Sequence, residues 1–271
     1  MKHFWLLFVL GLAGCASRPA GELSFLAVGQ GDCTVFRADG KTIMIDVGPK
    51  TDTFDAGEKI VLPWLREQGV SKIDLILLTH PDSDHVGGLA AICAKKRVGQ
   101  VVIPSHFRSH AGMIETLAGA GIPLESVLWI DRPMEANIGS FTLKIAKPPW
   151  NPEVSDNDGS LFVWIGREDA TAVISGDAGV ETEMQMCPTG NWQAQIMHAG
   201  HHGSKGSTCD AWLNEVQPRT CVFSCGRDNS YGHPAPDIVE RVTQRGIEAF
   251  RTDRDGTLTF QYRNGVFVLE K

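Results

Sequence analysis

The chain has no excess of positive charge, no CxxC pair of cysteines, no internal repeat and no low-complexity linker. Beyond its first residues it also has no apolar run long enough to cross a bilayer. Each absence excludes something. A formal net charge of -7 over 271 residues argues against a protein that coats nucleic acid non-specifically, because such binding draws its affinity from neutralised phosphates. Any contact with nucleic acid must then be local and metal-assisted. Without CxxC, thiolate zinc sites are disfavoured. The cysteines that follow Cys15, namely Cys33, Cys93, Cys187, Cys209, Cys221 and Cys225, read as a mixture of buried thiols and disulfides whose connectivity the sequence does not select. With neither repeat nor linker, one domain is the economical reading, and a hydrophobic fraction of 42% suffices for a large core. The lack of further long apolar runs means that the chain cannot form a membrane pore by itself.

The N-terminus is a separate matter. Lys2, the short apolar run Phe4 to Leu10 and the small residues Gly11, Ala13 and Gly14 have the order of an export signal. Leu12-Ala13-Gly14-Cys15 resembles the lipobox of bacterial lipoproteins, which implies cleavage before Cys15 and diacylation of its thiol. Residues 1–14 are then a signal peptide, 15–21 a tether containing Pro19, and 22–271 the folded domain. Ala16, where an Asp would signal retention, implies an exported, periplasmic lipoprotein anchored in the outer membrane through Cys15.

Apolar and β-branched stretches predict strands at 23–28, 34–36, 42–45, 73–78, 101–103, 141–145, 161–165 and 172–174. Helical periodicity predicts helices at 60–68, 89–95, 113–120, 181–186, 211–216 and 238–245, the last entered through Pro234 and Pro236. The first strands follow in quick succession, with Ala38-Asp39-Gly40 as a hairpin turn, so this part of the sheet is expected to be antiparallel. Helices enter only afterwards. That order fits two sheets packed together with helices outside, an α/β class distinct from a doubly wound parallel sheet.

The densest chemistry is Thr79-His80-Pro81-Asp82-Ser83-Asp84-His85-Val86-Gly87-Gly88, directly after the apolar strand 73–78. Four potential metal ligands fall within six residues at a strand end, where a tight loop can aim alternate side chains inward. Gly87 and Gly88 then let the backbone turn without a Cβ clash. Imidazole and carboxylate together suit a divalent transition metal, and carboxylates also orient ligating histidines.

This pattern resembles the HxHxDH signature of the metallo-β-lactamase superfamily, with Asp82 in place of the second histidine. The form HxDxDH followed by Gly-Gly is similar to the extracellular C-terminal hydrolase domain of the competence protein ComEC and its stand-alone relatives. Phe25 to Asp32 with its Gly-Gln-Gly-Asp turn, Ile43 to Gly48, Asn157 to Leu161, Ile174 to Asp177, His201 to Ser204 and Tyr231 to Pro234 resemble further motifs in the family's order, from about Leu23 to Phe260. The resemblance implies a four-layer αββα sandwich and two divalent metal ions held by His80, Asp82, Asp84, His85, Asp177 and His202 or His201, with Asp177 bridging. Adjacent histidines on an extended segment point opposite ways, and His202 is the preferred ligand. Catalytic roles fall to Asp84, to His233 as acid or phosphate contact, and to Asp32 as holder of the attacking water or of a ligand histidine. Asn157, Ser204, Asn229 and Lys205 are candidates for substrate, with Arg219, Arg227 and Arg251 as rim cations. Asp46 and His198 read as structural groups behind the ligands. Lys95 to Arg97 reads as a solvated helix end, and His3, His106 and His110 have no supporting neighbours.

Substituting a carboxylate for a histidine adds a hard oxygen donor and tilts preference from zinc toward manganese or magnesium. Such ions suit phosphodiesters, so the expected activity is that of a phosphodiesterase or nuclease using a dinuclear, metal-activated hydroxide, with DNA as a candidate substrate. The alternatives are a small-molecule metallohydrolase acting on a lactam, lactone or thioester, and a non-catalytic lipoprotein that binds DNA or a partner in DNA uptake.

Overall fold

The computed structural model describes residues 21–150 and 153–270. The expected signal peptide, the expected lipidation site Cys15, His3 and all of the expected tether but Gly21 lie outside the described residues. Gly21 itself is buried, and its carbonyl accepts the Tyr262 amide at 2.8 Å.

Six strands come first: β1 (Glu22–Phe25), β2 (Thr34–Ala38), β3 (Lys41–Ile45), β4 (Lys72–Leu77), β5 (Arg97–Pro104) and β6 (Leu128–Ile130). Seven follow: β7 (Met134–Ile138), β8 (Phe141–Ala146), β9 (Phe162–Arg167), β10 (Ala170–Ile174), β11 (Ile196–His198), β12 (Thr220–Phe223) and β13 (Glu248–Arg251). The hairpin β14 (Leu258–Arg263) and β15 (Val266–Leu269) then returns to the first group. The result is an eight-stranded sheet in the order β15-β14-β1-β2-β3-β4-β5-β6 and a seven-stranded sheet in the order β13-β12-β11-β10-β9-β8-β7. The expected hairpin is present: β2 and β3 pair antiparallel, and Asp39 and Gly40 both have positive φ, as the favoured two-residue turn requires.

Side-chain alternation builds the layers. On β3 and β4, Ile43, Ile45, Leu75 and Leu77 face a core shared with Val163, Ile165, Ala172 and Ile174 of the second sheet. The intervening Met44, Ile73 and Ile76 face a second core with Val61, Leu65, Leu89, Ile92, Met113 and Leu117. These residues come from a π-helical turn (Gly57–Val61) that runs into α1 (Leu62–Glu67), and, beyond the short α2 (Ser83–Val86), from α3 (Leu89–Lys95) and α4 (Ala111–Gly119). On the far side, Phe162, Val173, Met197 and Cys221 pack against α5 (Val180–Met186), α6 (Asp210–Val216) and α7 (Pro236–Gln244), through Met186, Trp212, Leu213, Ile238 and Val242. A last short helix, α8 (Thr252–Asp255), follows β13. Three apolar cores between four layers make the αββα sandwich.

The cysteines divide among these cores instead of pairing. Cys33 lies with the helices of the first sheet, Cys209 and Cys221 with those of the second, and all six are free. Among the described residues no helix is long and apolar enough to cross a membrane.

The topology fixes where chemistry can occur. Strands β3 to β6 run parallel, as do β10 to β13. Ligands in such sheets gather beyond the carboxyl ends of the strands, and Asp46, His80, Asp177, His198 and Ser224 all sit at or just past those ends.

A candidate dinuclear metal centre

The loop after β4 is held by backbone bonds to two other segments. The Asp32 amide donates to Asp84 O at 3.1 Å, the Val47 amide to His85 O at 2.8 Å, and the Gly88 amide to Gly48 O at 3.0 Å. That stitching leaves no room beside the paired glycines: a Cβ on Gly87 would sit 2.3 Å from Lys50 N, and one on Gly88 2.3 Å from Val47 O. Both therefore serve close approach, and the chain can turn into α3 while His80 and His85 remain fully buried.

Hydrogen bonds settle which ring nitrogens face the centre. Asp46 accepts the Thr79 amide at 2.8 Å and the Thr79 hydroxyl at 2.7 Å, and its carboxylate lies 2.8 Å from His85 Nδ1. His85 therefore donates from Nδ1 and turns Nε2 to the centre. Because the Thr79 proton is committed to Asp46, Thr79 Oγ1 accepts from His80 Nδ1 at 3.0 Å, and His80 too presents Nε2. His202 Nδ1 donates to the Ser224 carbonyl at 2.9 Å, leaving its Nε2 3.1 Å from Asp84 Oδ2 and 3.5 Å from Asp177 Oδ2. Three imidazoles thus turn their Nε2 atoms toward carboxylates, an arrangement that makes sense around cations.

Asp177 lies among all of them. Its carboxylate is 3.2 Å from His85 Nε2, 3.7 Å from His201 Nε2 and 4.0 Å from His80 Nε2, while its own amide donates to Ser160 Oγ at 3.0 Å. Asp82 Oδ2 stands 3.7 Å from His80 Nε2. His80 Nε2, His85 Nε2 and Asp177 Oδ1 are buried without a hydrogen-bond partner, which is rare for interior polar atoms and is what a coordinated ion would relieve. Asp32, His85, Asp177 and His202 offer ligand atoms all within 4.8 Å of one another. The residues present therefore fit divalent cations.

Asp32 takes a different position from the other aspartates of this group. Its oxygens lie 3.2 Å from His198 Nε2, 3.4 Å from His202 Nδ1 and 3.9 Å from His85 Nδ1. It thus backs the ring nitrogens that point away from Asp177, and of its two expected roles the geometry favours holding the ligand histidines. Burial would raise its pKa, but His198 and His202 outweigh that and hold it well below the carboxylate range. Burial likewise opposes ionisation of Asp177, and His202 and His85 override it to lower its pKa. For His85, burial pulls down while Asp177 and Asp46 lift the pKa well above the usual imidazole value.

His201 and His202 do not lie on an extended segment. Both adopt the left-handed conformation, with φ of 48° and 54°, so the expected alternation does not apply and both rings reach Asp177. Such a conformation costs about 1–3 kcal/mol per non-glycine residue, and the loop is tied down accordingly. Ser207 Oγ donates to Gly200 O at 2.6 Å, and the buried Glu183 carboxylate accepts the Thr208 and Cys209 amides at 2.7 and 2.8 Å. Burial nonetheless pushes Glu183 up to about 7.

The remaining candidates separate into those at the mouth and those that are not. Asn157 Nδ2 is 3.4 Å from His201 Nε2. The His233 ring lies 5.7 Å from that of His201 and 6.2 Å from that of His202, and burial, then His202 and His201, hold its pKa below the usual value. Asn229 is spent on positioning His233: it accepts the His233 amide at 2.9 Å and donates to its carbonyl at 2.6 Å. Ser204 Oγ accepts the Gly206 amide at 3.3 Å, and Lys205 pairs with Asp237 at 3.2 Å. Arg227 and Arg251 turn to Asp253. Arg219 precedes β12 and Lys95 to Arg97 precede β5 or open it, which puts them at the opposite ends of the strands from the centre.

His106 and His110 do acquire neighbours. His106 stacks on Trp150 with ring centroids 4.7 Å apart and bonds Gly159 O at 3.0 Å, while His110 pairs with Asp156 at 3.0 Å, so both brace the turn that carries Asn157. Sequence reasoning assigned no role to Thr79 or Ser160, although both lie inside quoted motifs next to a ligand. The Ser224 carbonyl leaves no side-chain signal at all.

Residues 26–227 match the family described as the Metallo-beta-lactamase superfamily. ComE operon protein 3 of Bacillus subtilis is 30% identical over 278 residues, an alignment taking in 96% of this chain and 35% of that protein. Competence protein ComA of Neisseria gonorrhoeae is 29% identical over 239 residues, 88% of this chain and 32% of that one. Endoribonuclease ysh-1 of Neurospora crassa is 33% identical over 95 residues, 32% of this chain and 11% of its own. The chain spans about a third of the length of the first two relatives.

Proposed function

The chain belongs to the metallo-beta-lactamase superfamily, with relatives among the ComEC-type competence proteins, and on that premise we propose that it is an exported phosphodiesterase working with two divalent cations. The observation that carries this reading is the arrangement of Nε2 atoms and carboxylates around the buried Asp177. We assign His80, Asp82 and His201 to one cation and Asp84, His85 and His202 to the other, with Asp177 shared between them. Asp82 adds a hard oxygen donor where a further imidazole would favour zinc, so manganese or magnesium is preferred. When bound, such a pair polarises a phosphoryl oxygen and lowers the pKa of water toward neutrality.

The chain's own groups supply the rest. Asp46 and Asp32 hold the ligand rings in orientation from behind. Asn157, beside His201, donates to a phosphoryl oxygen. His233 is neutral in the free protein, and the charge of an incoming phosphate favours its protonated form, so that it gives a proton to the departing alkoxide. A phosphodiester fits the names of the relatives, one a ribonuclease over part of this chain and another a competence protein, and DNA is the polymer proposed here. The signal-like order of residues 2–14 and the lipobox-like Leu12 to Cys15 support a periplasmic location with a diacyl anchor in the outer membrane.

The test is to load the purified chain separately with manganese, magnesium and zinc and to assay bis-p-nitrophenyl phosphate, single-stranded DNA and nitrocefin in parallel. Turnover of the two phosphodiesters with manganese or magnesium is expected. Turnover of nitrocefin alone would replace this reading with a small-molecule hydrolase, and stoichiometric metal binding without turnover would favour a binding protein.

A further inference from the structure

Tyr231 is 71% exposed, more than any other large hydrophobic side chain among the described residues. Its ring lies over the His233 ring with centroids 5.7 Å apart and planes 22° from parallel, and His233 in turn borders His201 and His202. The exposed ring is therefore one side chain away from the centre. Its backbone is not free to swing. Asn229 Nδ2 donates to Gly226 O at 2.9 Å and to His233 O at 2.6 Å, Gln30 Oε1 accepts the Gly226 amide at 3.1 Å, and the Ala235 amide bonds Gly203 O at 2.9 Å. A rigid loop thus displays a bare aromatic face whose own burial nothing in the fold provides.

The surroundings select the partner. None of the other exposed large hydrophobics among the described residues, Leu128, Met134, Val154, Met184 and Val268, belongs to the loop that carries Tyr231, so that loop displays a single ring and not the apolar run that receives a protein or a lipid surface. A single flat face suits a flat partner. Stacking on an aromatic side chain is how proteins hold unpaired bases without reading their identity, whereas a base inside a duplex has both faces covered. We propose that Tyr231 is a stacking platform for an unpaired nucleobase next to the phosphate held at the centre, which makes the substrate a single strand or a frayed end. This rests on the phosphodiesterase reading and names the strand that the site accepts.

The experiment compares a fluorescent single-stranded oligonucleotide with one of equal length built wholly from abasic residues, which keeps every phosphate and removes every base. Binding to the full chain in manganese is read by anisotropy, and cleavage is read on the same samples. The native protein is expected to bind the base-bearing strand about five- to hundredfold more tightly, the range that stacking confers. In Tyr231→Ala the ratio falls toward one, and in Tyr231→Trp it is retained. Equal affinities for the two strands in the native protein, or an unchanged ratio in Tyr231→Ala, would overturn the proposal. If neither strand is cut, the phosphodiesterase reading fails, while the anisotropy ratio still decides the role of Tyr231.

Discussion

On the eight-stranded sheet the proposed ligand side chains come from one segment of six residues, His80 to His85, on ordinary backbone, with both histidines fully buried. On the seven-stranded sheet they come from two separate strand ends, two of the three sit in the left-handed conformation, and the His201 side chain is 34% exposed. Side-chain hydrogen bonds from Asp46 and Thr79 orient the first half. The second half is oriented by forcing the backbone and then clamping it with Ser207 and Glu183. The first half is thus set by side-chain hydrogen bonds from the neighbouring strand end at Asp46, while the second needs a strained backbone held by its own loop and by Glu183. The second half is also where the site opens, and there His201, Asn157 and His233 meet solvent.

The largest expected effect comes from removing the residue that joins the halves. Asp177→Ala should lower turnover by at least about 10²–10³-fold, the scale of losing one charge-stabilising group, and Asp84→Ala should do the same from the first half. Both should keep the native circular dichroism spectrum, because each deletes a carboxylate that burial disfavours. Unchanged turnover in either variant would remove that residue from the site. Next in size, Asp46→Asn should weaken metal affinity by about 10–100-fold, as loss of a group that orients a ligand does; isothermal titration with manganese reads it, and an unaltered affinity would mean that the first half is set by the loop alone.

The second half should show its clamp in a pH dependence. The Glu183 carboxyl has an ordinary value of 4.5 and is raised by burial to about 7 in the folded chain. Between those values the folded protein keeps a proton that the unfolded chain releases, so stability falls as pH rises through this window. The loss is on the order of 3 kcal/mol. Urea unfolding at pH 5 and pH 7.5 measures it, and in Glu183→Gln the fall should be absent. An equal fall in the variant would assign the dependence to other groups.

The same contrast governs what the sequence revealed. The first half was legible because strand, loop and helix follow one another, and α3 was predicted at its observed limits, 89–95. The pairing of Asp177 with a histidine loop was legible only through family resemblance, since spacing along the chain says nothing about which strand ends meet. The left-handed backbone at His201 and His202 was not legible, because positive φ is uncommon at any non-glycine residue even though histidine is among the residues enriched there. Strand β7 was missed for a different reason: at the sheet edge its residues 134–137 are exposed, so no apolar alternation marks it. Strand β14 is likewise not among the predicted strands, although Leu258, Phe260 and Tyr262 alternate toward the core.

The claim that both halves hold metal together is tested most directly by the metal content of the purified chain after loading with manganese and dialysis. Two ions per chain are predicted, with magnetic coupling between them in the electron paramagnetic resonance spectrum through the shared Asp177, and Asp82→Ala should retain one uncoupled ion. A single ion in the native chain, unaffected by Asp82→Ala, would contradict the account.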